Sequence, residues 1–152
     1  MDEFLLRADD SNNLRVVSKE RLGNIQIADR KIAFHPHCHQ RAEGLADDGL
    51  PAGSSATVAM LRAFGFEVDV VDTGCCGMAG TFGYDAEHYD LSMQVGELKL
   101  FPVLRQISLG NQKSAVVSSG SACRLQIKQG AGISAMHPLQ VIANLINSKE
   151  KS

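Results

Sequence analysis

No run of apolar residues in this chain approaches the roughly 18 that cross a bilayer, so no membrane-spanning helix is expected. Lysine and arginine number 15 against 17 acidic residues, a net charge of −2, and they are scattered rather than massed. The basic footprint of a nucleic-acid binder is therefore missing. The start, Met1-Asp2-Glu3, is acidic and carries neither a secretory n-region nor a transit peptide. There is no internal repeat and no low-complexity segment. Cysteine is scarce, four in 152 residues, and none forms a C-x-x-C pair, which removes the two knuckles of a zinc ribbon. In such a chain cysteines read as metal ligands or redox groups before they read as bridges. A soluble, cytoplasmic protein is expected.

What is present fits one domain. A hydrophobic fraction of 44% and a charged fraction of 21% are ordinary for a globular chain. The length suffices to bury a core without disulfide staples. Residues 1–30 are polar and poorly patterned, with Phe4-Leu5-Leu6 in a short helix and Ser11-Asn12-Asn13 as a turn. The domain proper spans 31–147, and 148–152 is a charged, frayed tail.

Within the domain, apolar runs and helical stripes alternate. Lys31 to His35 reads as a short buried strand stopped by Pro36. A loop rich in Gly and Asp leads to Ser54 or Ser55 as an N-cap, and the helix that follows stops at Gly65. Phe66 to Val71 is a second strand. Asp85 is expected to cap a helix from about Ala86 to Leu100, which Pro102 breaks or restarts. After a turn at Asn111, Ser114 to Ser118 forms a third strand, and Gly120 opens a helix ended by Gly130. Ile133 to Met136 is a fourth short strand, followed by a helix with Pro138 at its first position. The fold class is α/β: a Rossmann-like parallel sheet of about four strands with helices on both faces.

In such sheets ligands bind beyond the carboxyl ends of the strands. Cys38 follows the first strand, Cys75 and Cys76 the second, Cys123 the third and His137 the fourth. All four cysteines thus fall at one edge of the sheet and read as one site. At its centre is Thr73-Gly74-Cys75-Cys76-Gly77-Met78-Ala79-Gly80. Adjacent cysteines, with Cα atoms about 3.8 Å apart, are a poor disulfide pair. Gly74 and Gly77 let backbone N–H groups approach a bound anion or sulfide. Three chemistries fit the set. An iron–sulfur cluster matches best, because it takes thiolates and accommodates vicinal cysteines on different irons. A lone zinc with three cysteines and one of His37, His39 or His137 is the second. Free thiol chemistry at Cys123, near a helix N-terminus, is the third.

Cys38, then Gly74-Cys75-Cys76-Gly77, then Gly120-Ser121-Ala122-Cys123 resemble the cysteine-rich CCG domain. That domain occurs in heterodisulfide reductase and in the iron–sulfur subunits of glycolate oxidase and anaerobic glycerol-3-phosphate dehydrogenase. The stretch from Gly74 to Tyr84, with Leu98 to Pro102 downstream, is similar to the carboxy-terminal iron–sulfur region of FAD-linked D-2-hydroxyacid dehydrogenases. The resemblance implies a 4Fe-4S cluster on Cys38, Cys75, Cys76 and Cys123, with a flavin in a separate domain or subunit. It further implies electron transfer to a quinone or carrier protein, and peripheral placement at a membrane through such partners. Two departures stand out. Gln126 occupies the position of the family's last cysteine, and only one such domain is present, so the chain reads as a slice of a longer protein. The alternative function is a zinc-filled or metal-free docking domain without redox work.

The histidines divide. His35, beside Pro36, reads as structural, and His88 as solvent-facing. His37 and His39 flank Cys38, where hydrogen bonding toward the site or simple exposure fits either. His137 reads as a site residue or as a helix cap. Gly77-x-x-Gly80-x-x-Gly83 lacks the G-x-G-x-x-G spacing of a dinucleotide fingerprint.

Overall fold

The computed structural model describes residues 30–110 and 114–147. The expectations for the first 29 residues, the Asn111 turn and the 148–152 tail lie outside the described residues. Three parallel strands form the sheet: β1 (Lys31–Phe34), β2 (Glu67–Val70) and β3 (Ala115–Val117), in the order β2-β1-β3. Phe34 pairs with Val70 on one side and with Val117 on the other. β1 is the central strand and is buried on both faces, which is why its sequence is a continuous apolar run rather than an alternation.

Because successive side chains of a strand point to opposite faces, Ile32 and Phe34 enter one core and Ala33 the other. The first core joins Ile32, Phe34 and Val68 to Met60 and Leu61 of α2 (Gly53–Ala63) and to Val141, Ile142 and Leu145 of α6 (Pro138–Asn147). The second joins Ala33 and Val116 to Met78, to Leu100, Phe101 and Leu104 of α4 (Leu100–Leu109), and to Ile127 of α5 (Ser121–Ala131). The small Ala33 leaves room for Phe101, whose ring lies where a Cβ on Gly96 or Gly130 would stand, 2.2 and 2.1 Å away. Helices therefore cover both faces of the sheet. Among the described residues no helix is long and apolar enough to cross a membrane.

Several boundaries differ from those expected. The fourth strand is reduced to one parallel bridge between Val117 and Met136, because Gly132 turns left-handed just before it and α6 starts just after. α2 begins after Ala52 with no side-chain cap, so Ser54 and Ser55 lie inside its first turn. Asp85 closes a 3-10 turn (Phe82–Tyr84), and α3 (Tyr89–Leu98) starts four residues later. The break before α4 is at Lys99 (φ −147°), while Pro102 sits in the first turn of α4, where its missing N–H costs nothing. Arg105 pairs with Glu97 across that break at 2.6 and 3.1 Å and also donates to the Gly130 carbonyl. α5 runs to Ala131 and ends on Gly132 rather than Gly130. His88 stacks on Phe82 at 4.1 Å.

Candidate metal centre

The strand order makes the chain leave β1 toward one side and return across it to the other, so loops diverge at the carboxyl ends of β1 and β3. Such switch points leave a crevice. Here the crevice is lined by the segments after all three strands: His35 to His39, Gly74 to Gly80, and Gly120 to Cys123. Its volume, about 190 Å³, exceeds many times the ~10–15 Å³ that a single water requires. All four cysteines line it and none is bonded to another.

Short-range contacts hold the three segments in place. After β1, the His35 N–H donates to the Val117 carbonyl at 2.8 Å, and Pro36 then turns the chain into α1 (Cys38–Ala42). His37 caps α1, its Nδ1 accepting from the His39 N–H at 3.3 Å. Arg41 of α1 reaches the end of β2, pairing with Asp72 and donating to the Val71 carbonyl at 3.2 Å. Arg124 of α5 donates to the carbonyls of Ser118 and Ser119 at 2.9 and 2.8 Å, fixing the turn that delivers Cys123. The double-cysteine loop is tied from beneath: Ser92 of α3 donates to the Gly77 carbonyl at 2.9 Å, and Gln126 donates to the Ser92 hydroxyl at 2.8 Å. Gln126 therefore anchors the loop from α5.

The cysteines form an inner and an outer pair. Cys76 and Cys123 are buried with their sulfurs 3.5 Å apart, whereas Cys38 and Cys75 are exposed. Cys75 Sγ accepts from the Gly77 N–H at 3.3 Å. His35, 1% exposed, places a ring nitrogen within 4.8 Å of both inner sulfurs. Its buried Nδ1 has no hydrogen-bond partner, an arrangement that costs about 1–3 kcal/mol unless something binds there. His39 is exposed and lines the crevice together with Gly74. His137 does not line it; its Nδ1 accepts from the Leu139 N–H at 3.2 Å and caps α6. Gly77 also lies beneath the lining, in the left-handed region at φ +98°. The strand-end logic applied to His137 applies equally to His35, one residue past β1, although in the sequence the adjacent proline points to a structural role.

Contact between the two inner sulfurs drives their acidities apart. Hydrogen bonding with Cys123, and then the His35 ring and the Met78 N–H, lower the Cys76 thiol to about 4 against the opposing effect of burial. The same contact with Cys76, together with burial, pushes Cys123 upward. His37 is held below its ordinary value by burial and by His39.

A pH dependence follows for the reduced, metal-free chain. Between about pH 4 and the ordinary thiol value near 8.5, the unfolded pair binds two protons and the folded pair one. Stability therefore rises with pH across that window. Above it the unfolded pair has lost both protons while Cys123 keeps its own, and stability falls. Anaerobic thermal melts from about pH 5 to 10 should show a maximum near the ordinary thiol value. The difference between wild type and Cys76→Ser isolates this pair from the histidines, and a pH-independent difference would contradict the divergence.

No family model matches the chain, and no solved structure matches it. It is 30% identical over 113 residues to a D-2-hydroxyglutarate dehydrogenase of Escherichia coli K12, covering 74% of this chain and 10% of that protein. It is also 30% identical over 117 residues to one of the subunits of the anaerobic glycerol-3-phosphate dehydrogenase of the same strain, covering 76% of this chain and 26% of that polypeptide. A D-2-hydroxyglutarate dehydrogenase of Haemophilus influenzae is 25% identical over 130 residues, covering 84% of this chain and 12% of that protein. The chain thus spans about a tenth of the D-2-hydroxyglutarate dehydrogenases and a quarter of the glycerol-3-phosphate dehydrogenase polypeptide. It is related in sequence to part of larger or multi-subunit dehydrogenases.

Proposed function

We propose that this chain is the iron–sulfur electron-transfer domain, of the CCG type, of an FAD-linked oxidoreductase acting on a D-2-hydroxyacid such as lactate, glycolate or 2-hydroxyglutarate. The observation that carries the reading is that all four cysteines, from three segments remote in sequence, line one crevice at the carboxyl ends of the strands. The donor set suits the group: four unbonded sulfurs, two of them buried 3.5 Å apart, with a ring nitrogen of His35 within 4.8 Å of both. Cys38, Cys75, Cys76 and Cys123 would hold a cluster of the 4Fe-4S type. Such a cluster supplies reversible one-electron storage.

The protein's own contribution is placement and insulation. The inner pair is shielded from water by Met78 and the sheet, and the outer pair faces solvent, the side on which a partner would approach. His39 and Gly74 line the crevice, and in this reading the His39 ring and the Gly74 backbone hydrogen-bond toward the cluster, the kind of contact that tunes a potential. Gln126 is engaged below the loop through its Nε2, its buried Oε1 having no hydrogen-bond partner, and in this reading the ligands are the four thiolates. In this reading a flavin domain or subunit donates electrons and a quinone or carrier protein accepts them. The assembly sits in the cytoplasm, peripheral to the membrane through its partners. The similarity to parts of D-2-hydroxyglutarate dehydrogenases supports the substrate class.

Anaerobic reconstitution with iron and sulfide, followed by iron, sulfide and zinc analysis and visible absorbance, is the test. Uptake of iron and sulfide in equal amounts with a brown chromophore is expected. Stoichiometric zinc without sulfide uptake would overturn the reading in favour of a zinc-stabilised docking domain. The compact His35, Cys76 and Cys123 trio favours that second reading.

A further inference from the structure

We propose that in the metal-free chain Cys76 and Cys123 close to a reversible disulfide, a redox switch that withdraws the two inner thiolates from the crevice until a dithiol returns them. The proposal rests on the reading above only for what the switch controls, which is loading of the cluster. The two sulfurs stand 3.5 Å apart, both residues are buried, and neither is bonded to another cysteine. A disulfide holds its sulfurs about 2.03–2.05 Å apart, so roughly 1.5 Å of approach, divided between two side chains, closes the link. The fold already holds the two segments in this register. The Gly77 carbonyl, next to Cys76, accepts from Ser92, and the Ser92 hydroxyl accepts from Gln126, which follows Cys123 in α5. Other pairings are less favoured. Cys75 and Cys76 are neighbours in sequence, and their Cα spacing of about 3.8 Å falls short of the roughly 4.4–6.8 Å of a relaxed bridge. Cys38 and Cys75 are exposed on the rim, where Cys75 Sγ accepts from the Gly77 N–H at 3.3 Å.

The oxidant is a peroxide, small enough to enter a crevice of about 190 Å³. One sulfur of the pair, as its thiolate, attacks a peroxide oxygen. The S–O bond forms as the O–O bond breaks, leaving a sulfenic acid and a hydroxide that takes up the proton the thiol had lost. The other sulfur then attacks the first, the S–S bond forms, and the oxygen leaves with the second thiol's proton as water. Two thiols and one hydrogen peroxide thus give one disulfide and two waters, with two electrons passing from sulfur to oxygen. A dithiol reverses the link by exchange and leaves as its own disulfide. While the link is closed, the thiols that remain are Cys38 and Cys75 on the rim, and a four-thiolate cluster has lost half its ligands.

The test needs no metal. The reduced, metal-free full chain is treated with a single equivalent of hydrogen peroxide, alkylated, digested and mapped by mass spectrometry. A peptide pair joined through Cys76 and Cys123 should predominate, with Cys38 and Cys75 alkylated. Titratable thiols should fall from the four of the sequence to half that number and recover fully in dithiothreitol. The oxidised chain should melt on the order of 10 °C higher than the reduced one, because the link closes a long loop without distorting the fold. The double variant Cys38→Ser with Cys75→Ser, altered only at exposed positions, should form the link within roughly threefold of the wild-type rate. A main product joined through Cys75 or Cys38 overturns the proposal, as does sulfinic acid at Cys76 or Cys123 in place of the link. A lower melting temperature on oxidation, or loss of the link in the double variant, also overturns it. The switch and the cluster fail separately. A reduced chain that takes up no iron and sulfide refutes the cluster and leaves the mapped link in place, whereas a chain that loads fully yet never joins Cys76 to Cys123 refutes the switch alone.

Discussion

Cys75→Ser and Cys76→Ser are each expected to lose most of the iron and sulfide that the unaltered chain takes up on anaerobic reconstitution. Their Cα atoms are neighbours, yet the side chains diverge: Cys76 is buried 3.5 Å from Cys123, and Cys75 is exposed on the rim. A single ion seated in the inner trio has no need of Cys75. A cluster spread over the crevice takes each thiolate on a different iron, and serine replaces neither well. The two substitutions therefore separate the chemistries. Under the cluster reading both are damaging. For a sulfide-free zinc held by His35, Cys76 and Cys123, Cys75→Ser is nearly silent and Cys76→Ser is not. Cys75→Ser also serves as its own folding control, since an exposed substitution of this kind shifts stability by no more than about 0.5 kcal/mol. Full iron and an unchanged spectrum in Cys75→Ser would show that the four-thiolate reading is wrong.

The strand-end argument needed only the positions of three short apolar runs, and those were legible. Lys31 to Phe34 and Ala115 to Val117 are unbroken apolar stretches after the leading Lys31, because β1 is central and buried on both faces, and β3, though last in the strand order, sends Val116 into one core and Val117 into the other. Once their order along the chain was known, the convergence of Cys38, Cys75, Cys76 and Cys123 on one edge followed. What was not legible depended on contacts between remote residues. α1 has five residues, too few to show a helical period, and it exists because His37 caps it and Arg41 ties it to the end of β2. The fourth strand read well in isolation from Ile133 to Met136, but the αL turn at Gly132 and the immediate start of α6 leave room for one bridge. In sequence His35 reads as structural, because a proline follows it. Only the fold reveals that its ring faces two sulfurs from other segments. Gln126, in a position where the resemblance calls for cysteine, turned out to hold the double-cysteine loop through Ser92.

That loop is where a single methyl group should do the most harm. Gly77 has φ +98°, and a Cβ built on it would stand 2.0 Å from the Ser92 carbonyl oxygen and 3.2 Å from Gln126 Nε2. The obstacle is helix backbone. Ser92 is buried in α3, where the hydrogen bonds to the Gly77 carbonyl and from Gln126 hold it in place. The loop must move instead, and it carries Cys75 and Cys76. Gly77→Ala should combine left-handed backbone strain of about 1–3 kcal/mol with an overpacking cost of similar size, about 1–3 kcal/mol. At roughly 2–4 °C per kcal/mol for a chain of this length, the metal-free melting temperature should fall by on the order of 10 °C. Metal uptake should fall with it, because the inner pair loses its 3.5 Å spacing. Gly132→Ala is the matched control. It too has positive φ, at +72°, but a Cβ there meets nothing within 4 Å and lies at the end of α5 away from the crevice. That change should cost about 1 kcal/mol and leave metal binding unaltered. If Gly77→Ala melted like Gly132→Ala and bound metal like wild type, the rigid anchoring of the loop on α3 would be wrong.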